Sequence, residues 1–318
     1  MTSAQTGLQK AEVFARMSSS PSQPPRQAVI ILGMHRSGTS ALTGALARLG
    51  LALPKTPLAD AADNPEGFYE SRRIADENFK ILLEERCGWN VTFTLEPATV
   101  QAKTPPARLE ELYGILHEEF GDTGSFVLKD PRLCLLMPLW FPGLQRLTAS
   151  QPVLLLARHP AEIVRSHETR NQLPEGDTLL NWLHHMLEAE KMTRTLRRAV
   201  LLYEDLLADW HATLGQSLRT AGITTPRSFA EAGAEIDQFI SPDLRHHKAL
   251  ETGAQIGPPH LAPLVDQCWR ALMALAHNPL DAYALAALDD ARENLLLIRH
   301  GMVRQGVSII VPPEFSAQ

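Results

Sequence analysis

The sequence of 318 residues has only three cysteines, Cys87, Cys134 and Cys268. They show no metal-ligand spacing and cannot all pair with one another, which fits a reducing compartment and predicts a cytoplasmic setting. No apolar run reaches the roughly 18 residues a membrane span needs. No apolar segment precedes Ala28, so no secretion signal is expected. There is no basic stripe. The formal net charge of −6 argues against a general nucleic-acid binder, yet leaves room for a local cationic pocket. No internal repeat or linker divides the chain. Also missing is a lysine from the one place where a nucleotide-binding loop would be expected to carry it.

What is present reads as an ordinary globule, 44% hydrophobic and 21% charged. Residues 1–25 include the Ser/Pro-rich MSSSPSQPP and are expected to be a disordered tail. Residues 26–318 are expected to form one domain, with a helical C-terminal part from about residue 255. Short apolar strands are predicted at Ala28–Leu32, Phe126–Leu128, Val153–Ala157 and Val200–Tyr203. Helices are predicted at Gly38–Leu49, Ser71–Arg86, Leu109–Phe120, from Pro160 toward Arg170, at Leu179–Arg198 and from about Asp205. Beyond Gly222 the signal is less regular, with helices at Pro259–Leu275 and Ala282–Arg299. This recurrence of strand and helix predicts a three-layer α/β fold of the P-loop type around a central, mainly parallel sheet. The turn-rich segment Leu53–Glu70 reads as a lid or substrate wall. The uncharged Gln305–Pro313 reads as a short strand that would cover a sheet edge.

The segment VIILGMHRSGTSALTGALARLG, Val29–Gly50, sets Gly33 and Gly38 at Walker A spacing. Thr39 and Ser40 follow where Lys and Ser/Thr belong, so the reach toward a triphosphate is lost. Arg36 supplies a cation inside the loop instead. A strand, a tight turn and a helix start together aim backbone N–H groups and the positive helix end at an anion. The ligand expected is one whose terminal group lies against the loop.

HRSGTS, His35–Ser40, resembles the 5′-phosphosulfate loop of sulfotransferases that use 3′-phosphoadenosine 5′-phosphosulfate (PAPS), in particular bacterial members. The resemblance assigns Arg36 to the 5′-phosphate and bridging oxygen, with His35, Ser37, Gly38, Thr39 and Ser40 completing the loop. LLLARHPAEIVRSH, Leu154–His167, has an arginine at a strand end and a serine eight residues on, Arg158 and Ser166, as in the family's 3′-phosphate motif. An arginine fork plus a hydroxyl suits a fully charged phosphate. VLKDPRLCLLMPLW, Val127–Trp140, and LYEDLLADW, Leu202–Trp210, resemble further segments of bacterial relatives. A weaker match at FISPDLRHH places Arg245 near the donor's phosphates.

The activity this resemblance implies is sulfuryl transfer from PAPS to a hydroxyl or amine by in-line displacement, leaving 3′-phosphoadenosine 5′-phosphate and requiring no metal. Charge grows on the bridging oxygen, so a fixed cation lowers the barrier. Arg36 is the first choice and Lys129 the second, Lys129 having the alternative of a structural pair with Asp130. NPEGFYE, Asn64–Glu70, resembles the segment that runs beside the acceptor site in bacterial relatives and nominates Glu70 as general base. Burial against Phe68 and Tyr69 would favour that role, and Arg72 and Arg73 would oppose it. His35, Asp63, Asp130 and His167 are other base candidates, while His184 and His185 read as polar-face residues of a helix. The acceptor is left open between a small molecule, a carbohydrate, a lipid and a peptide, and so is the oligomeric state. Two alternatives stand beside this reading. One is an ATP-dependent phosphotransferase with Asp130 holding magnesium. The other is a non-catalytic phosphonucleotide-binding protein.

Overall fold

The computed structural model describes residues 25–59, 67–90, 92–240 and 256–304, with side chains as far as residue 301. The expected tail, Asp63, the Asn64–Glu66 part of the loop, Arg245 and Gln305–Pro313 therefore lie outside the described residues.

Four strands form one parallel sheet: β1 (Ala28–Leu32), β2 (Phe126–Lys129), β3 (Val153–Ala157) and β4 (Arg198–Leu202), in the order β2-β1-β3-β4. Their registers set Ile30 against Leu128 and Val153, and Leu155 against Val200. Every strand residue is buried, as expected where helices cover both faces of a parallel sheet. Alternate side chains enter different cores. Ile30, Leu32, Leu128 and Leu155 join one, and Val29, Ile31, Val127 and Leu154 join the other. Each such Leu or Ile contributes about 1.5–3 kcal/mol by leaving water.

The second core is closed by α1 (Thr39–Arg48), α8 (Tyr203–Ala208), α9 (Trp210–Ala221) and α10 (Phe229–Phe239). The first is closed by α2 (Arg72–Glu84), α3 (Pro97–Lys103), α4 (Pro106–Phe120), α5 (Leu133–Leu147), α6 (Pro160–Asn171), α7 (Glu175–Thr193), α11 (Ala262–His277) and α12 (Ala282–Arg304). None of the described helices is long and apolar enough to cross a membrane.

Several boundaries differ from the expectation. The helix predicted to reach Arg198 ends at Thr193, and Arg198 opens β4. Its buried guanidinium donates to Glu190 Oε1 at 2.8 Å, so a charged residue sits where apolarity was taken as the mark of a strand. The helix expected from Asp205 is two helices, because Asp209 caps the second through Ala212 N. α5 carries Pro138 and Pro142 in its interior, which hid it from propensity, and α3 and α10 had no clear signal.

The described ends of the Leu53–Glu70 segment are tied down. Leu58 N donates to Glu70 O at 2.8 Å and Arg72 N to Thr56 O at 2.7 Å. Thr56 Oγ1 donates to the buried Glu119 at 2.6 Å.

Candidate active site

The carboxyl ends of β1, β2 and β3 lie side by side, and the sequence after each supplies polar groups. After β1 the chain turns through two left-handed residues, Arg36 (φ 68°) and Gly38 (φ 87°). Gly38 cannot be replaced cheaply, since a Cβ there would sit 2.2 Å from the Tyr203 ring. At Gly33 a Cβ would meet Leu156 O at 2.7 Å. Both glycines thus permit close packing of the loop against its neighbours. Gly38 caps α1 without a side chain, so the first-turn N–H groups gain no capping partner from it. The Ser37 hydroxyl and His35 Nδ1 are shut off from solvent with no hydrogen-bond partner.

Residues expected to bind the two ends of one ligand meet here. Arg36 Nε donates to Ser166 Oγ at 2.8 Å, across 130 positions of sequence. Arg158, at the end of β3, donates through Nη1 to the Arg36 carbonyl at 2.9 Å and through Nε to Glu162 at 2.9 Å. Its guanidinium lies 4.7 Å from the Tyr203 ring centre. Arg158 therefore braces the loop that carries Arg36.

On the other side Lys129, the last residue of β2, donates to Glu70 Oε1 at 2.6 Å, Phe68 O at 3.0 Å and Ser40 Oγ at 3.3 Å. Arg132 reaches Glu70 Oε2 at 3.4 Å and Asp130 Oδ1 at 2.8 Å. Asp130 Oδ2 accepts from Asn78, whose own carbonyl accepts from Trp140 Nε1 at 2.7 Å. Burial pulls the Arg132 guanidinium down, but Asp130 and Glu70 outweigh it and leave its pKa raised.

Three expectations change. Lys129 pairs with Glu70 and not with Asp130. The cations at Glu70 are Lys129 and Arg132, while Arg73 pairs with Glu118 on the surface. Asp130 has both oxygens engaged by Asn78 and Arg132, which leaves it poorly placed to hold magnesium. Among the described residues no group of three or more His, Cys, Asp or Glu is arranged to hold a metal ion.

His184 and His185 are not polar-face residues. Both are buried inside α7, since that helix is covered on more than one side. His167, on α6, is buried as well. Burial, with Arg132 and neighbouring histidines, holds the His35 imidazole well below its usual range. Burial also lowers His167 and His185 to about 4. These imidazoles are neutral at pH 7.

Arg132 and Tyr203 fall in the KDPR and LYEDL segments singled out in the sequence, without a role assigned there. Trp89, against His35 and His167, and Glu162 had no sequence signal.

Neither a protein-family model nor a curated protein sequence matches the chain. Some solved structures are similar. A sulfotransferase domain from the Synechococcus PCC 7002 olefin synthase has 18% identity and a TM-score of 0.40 over 77% of this chain and 89% of its own. A sulfotransferase domain from the curacin biosynthetic pathway has 16% identity and a TM-score of 0.34 over 72% and 81%. Sulfotransferase STF1 from Mycobacterium tuberculosis H37Rv has 14% identity and a TM-score of 0.36 over 72% and 79%. Scores this low carry no conclusion about what this chain does.

Proposed function

We propose that the chain transfers the sulfuryl group of PAPS to a hydroxyl or amine acceptor by in-line displacement. The observation that carries this reading is the Arg36–Ser166 hydrogen bond of 2.8 Å. Two segments, each resembling one half of a bisphosphate site, supply the two partners of a single contact at the ends of adjacent strands.

The loop also fits an anion in its own right. Its glycines are sterically required, and the buried Ser37 hydroxyl and His35 Nδ1 lack partners. In this reading Ala28–Arg48 is a phosphate-binding strand, loop and helix of the P-loop kind, with Thr39 in place of the lysine. Arg36 and the groups of Ser37, Gly38, Thr39 and Ser40 hold the 5′-phosphosulfate. Arg158 and Ser166 hold the 3′-phosphate. The donor supplies an activated sulfur whose bond to the phosphate oxygen breaks as the acceptor bonds to it. Arg36 stabilises the charge growing on that oxygen, and Lys129, bonded to Ser40, lies close enough to assist. Glu70 orients Lys129 and Arg132 rather than serving as the base first expected, because both its oxygens already face cations.

Isothermal titration with 3′-phosphoadenosine 5′-phosphate, without metal, tests the reading. Micromolar binding is expected, with ADP far weaker and with Arg36→Ala and Arg158→Ala each losing affinity. Equal binding of ADP with a magnesium requirement would overturn it in favour of phosphoryl transfer.

A further inference from the structure

The two edges of the sheet end differently. Outside β2 the chain covers its own edge: Ala52 N donates to Ser125 O at 3.0 Å, and Val127 N donates to Ala52 O at 3.0 Å. β4 is the last strand on the other side and pairs with β3 alone among the described residues. One bond fixes the direction of its main-chain groups. Val153 N donates to Arg197 O at 2.9 Å, so Arg197 faces β3. Strand groups alternate, which turns Ala199 and Leu201 toward β3 and Arg198, Val200 and Leu202 away from it. The N–H and C=O of Val200 thus point off the sheet, with no hydrogen-bond partner among the described residues. An unpaired strand edge is a template for a further strand.

A cavity of about 200 Å³ runs along this edge. One wall is the face of α9 that carries Thr213, Gln216, Ser217 and Thr220, spaced as one helical stripe. The other is Ala276 near the end of α11 and Pro279 just beyond it. These walls decide what can enter. β4 is buried between α9 and α11, so its edge lies at the bottom of a slot. A second copy would bring an equally recessed edge, and two strands must approach to about 4.8 Å to pair. The slot is also smaller than the roughly 300 Å³ or more that small-molecule sites occupy. A single extended segment fits, because it is narrow and carries the N–H and C=O that Val200 needs.

The rim supplies the rest of the chemistry. Of the residues lining the slot, Asp205 is the one acid, and none is a lysine or arginine. Asp205 is exposed, and no cation pairs with it among the described residues. Next to Pro279, Leu280 is 80% exposed, and Tyr283 in the first turn of α12 is 91% exposed. Large apolar side chains held in water beside an open strand edge mark a protein contact.

We infer that the edge of β4 is a docking site for an extended segment of another protein, which adds to the sheet beside Val200 and carries a basic residue at the end that meets Asp205. The inference is independent of the sulfuryl-transfer reading.

The test begins with the full-length protein alone. Hydrogen exchange read amide by amide should find Val200 exchanging at least about tenfold faster than Ala199 and Leu201. A Val200 amide as slow as theirs would show a slot already filled by the chain itself and overturn the proposal. A random octapeptide library displayed on phage is then selected on the protein, and the enriched peptides are synthesised. They should carry Lys or Arg toward the carboxyl end if the added strand is parallel, and toward the amino end if it is antiparallel. Binding should slow Val200 exchange about tenfold or more and leave Ala199 and Leu201 little changed. N-methylation of the alternate peptide amides that face β4 should abolish it. Asp205→Asn should weaken binding about two- to fivefold. Gln216→Trp, at another exposed position, should block the slot without altering the melt. A library without enrichment, or peptides that leave Val200 exchange unchanged or bind Gln216→Trp equally well, would overturn the docking site.

Discussion

The two cations that flank the loop keep different company. Arg36 donates to the Ser166 hydroxyl. Lys129, two strands' ends away from Ser166, is set against the Glu70 carboxylate, with Arg132 on the other oxygen. The first arrangement aims a guanidinium through a hydroxyl brought from a distant helix. The second suits a group that holds a wall in position, because a buried charge is tolerable only when it is paired.

That contrast can be broken at its strongest point. Lys129→Met leaves the buried Glu70 short of its nearest cation and should cost about 3–5 kcal/mol of stability by urea denaturation. The double variant Lys129→Met/Glu70→Gln should recover much of the loss. Full additivity of the two single changes would show that the pair is not coupled.

Arg36→Ala should remove about 1.5–3 kcal/mol of affinity for 3′-phosphoadenosine 5′-phosphate, with much less effect on stability than the Lys129 change. Calorimetric titration beside a thermal melt separates the two. A large loss of melting temperature with affinity intact would reverse the roles assigned to the two walls.

The histidines sharpen the comparison through pH. Burial lowers the native pKa of His167 and His185 to about 4, against about 6.5 in an unfolded chain. Between those values the unfolded state binds protons that the native state does not, so stability falls as pH drops through this window. The expected slope is up to about 1.4 kcal/mol per pH unit for each imidazole. It is best read from urea midpoints between about pH 6.5 and 5, above most carboxylate titrations. A flat profile there would mean that the two rings are hydrated.

The smallest effect expected is that of Ser166→Ala. Losing one hydroxyl should weaken bisphosphate binding by about 1 kcal/mol, roughly fivefold, without altering the melt. No change in affinity would remove Ser166 from the site and leave it as a support for Arg36.

Much of the fold was legible because its signals are local. Apolar runs of three to five residues announced the strands, and Gly38, Gly50, Ser71 and Pro160 marked helix ends. The misses have physical causes. α5 tolerates two interior prolines because it is packed deep in the first core, and β4 begins at an arginine because Glu190 neutralises it from α7. Among the site residues, Arg158 and Lys129 stand at strand ends, Arg36 in the loop after β1 and Ser166 on α6. Their partners were not legible. Lys129 had an adjacent aspartate in sequence, yet its closest carboxylate comes from 59 positions away.

By itself, the sequence determined the loop between Gly33 and Gly38, the missing lysine and the order of strand and helix, since each depends on neighbours a few residues apart. Tertiary structure alone decided which carboxylate meets Lys129, that Arg158 braces the Arg36 carbonyl, and that His35 and His167 lie against Trp89. Pairing, burial and protonation depend on what surrounds a side chain in space, and chain neighbours supply little of that surrounding.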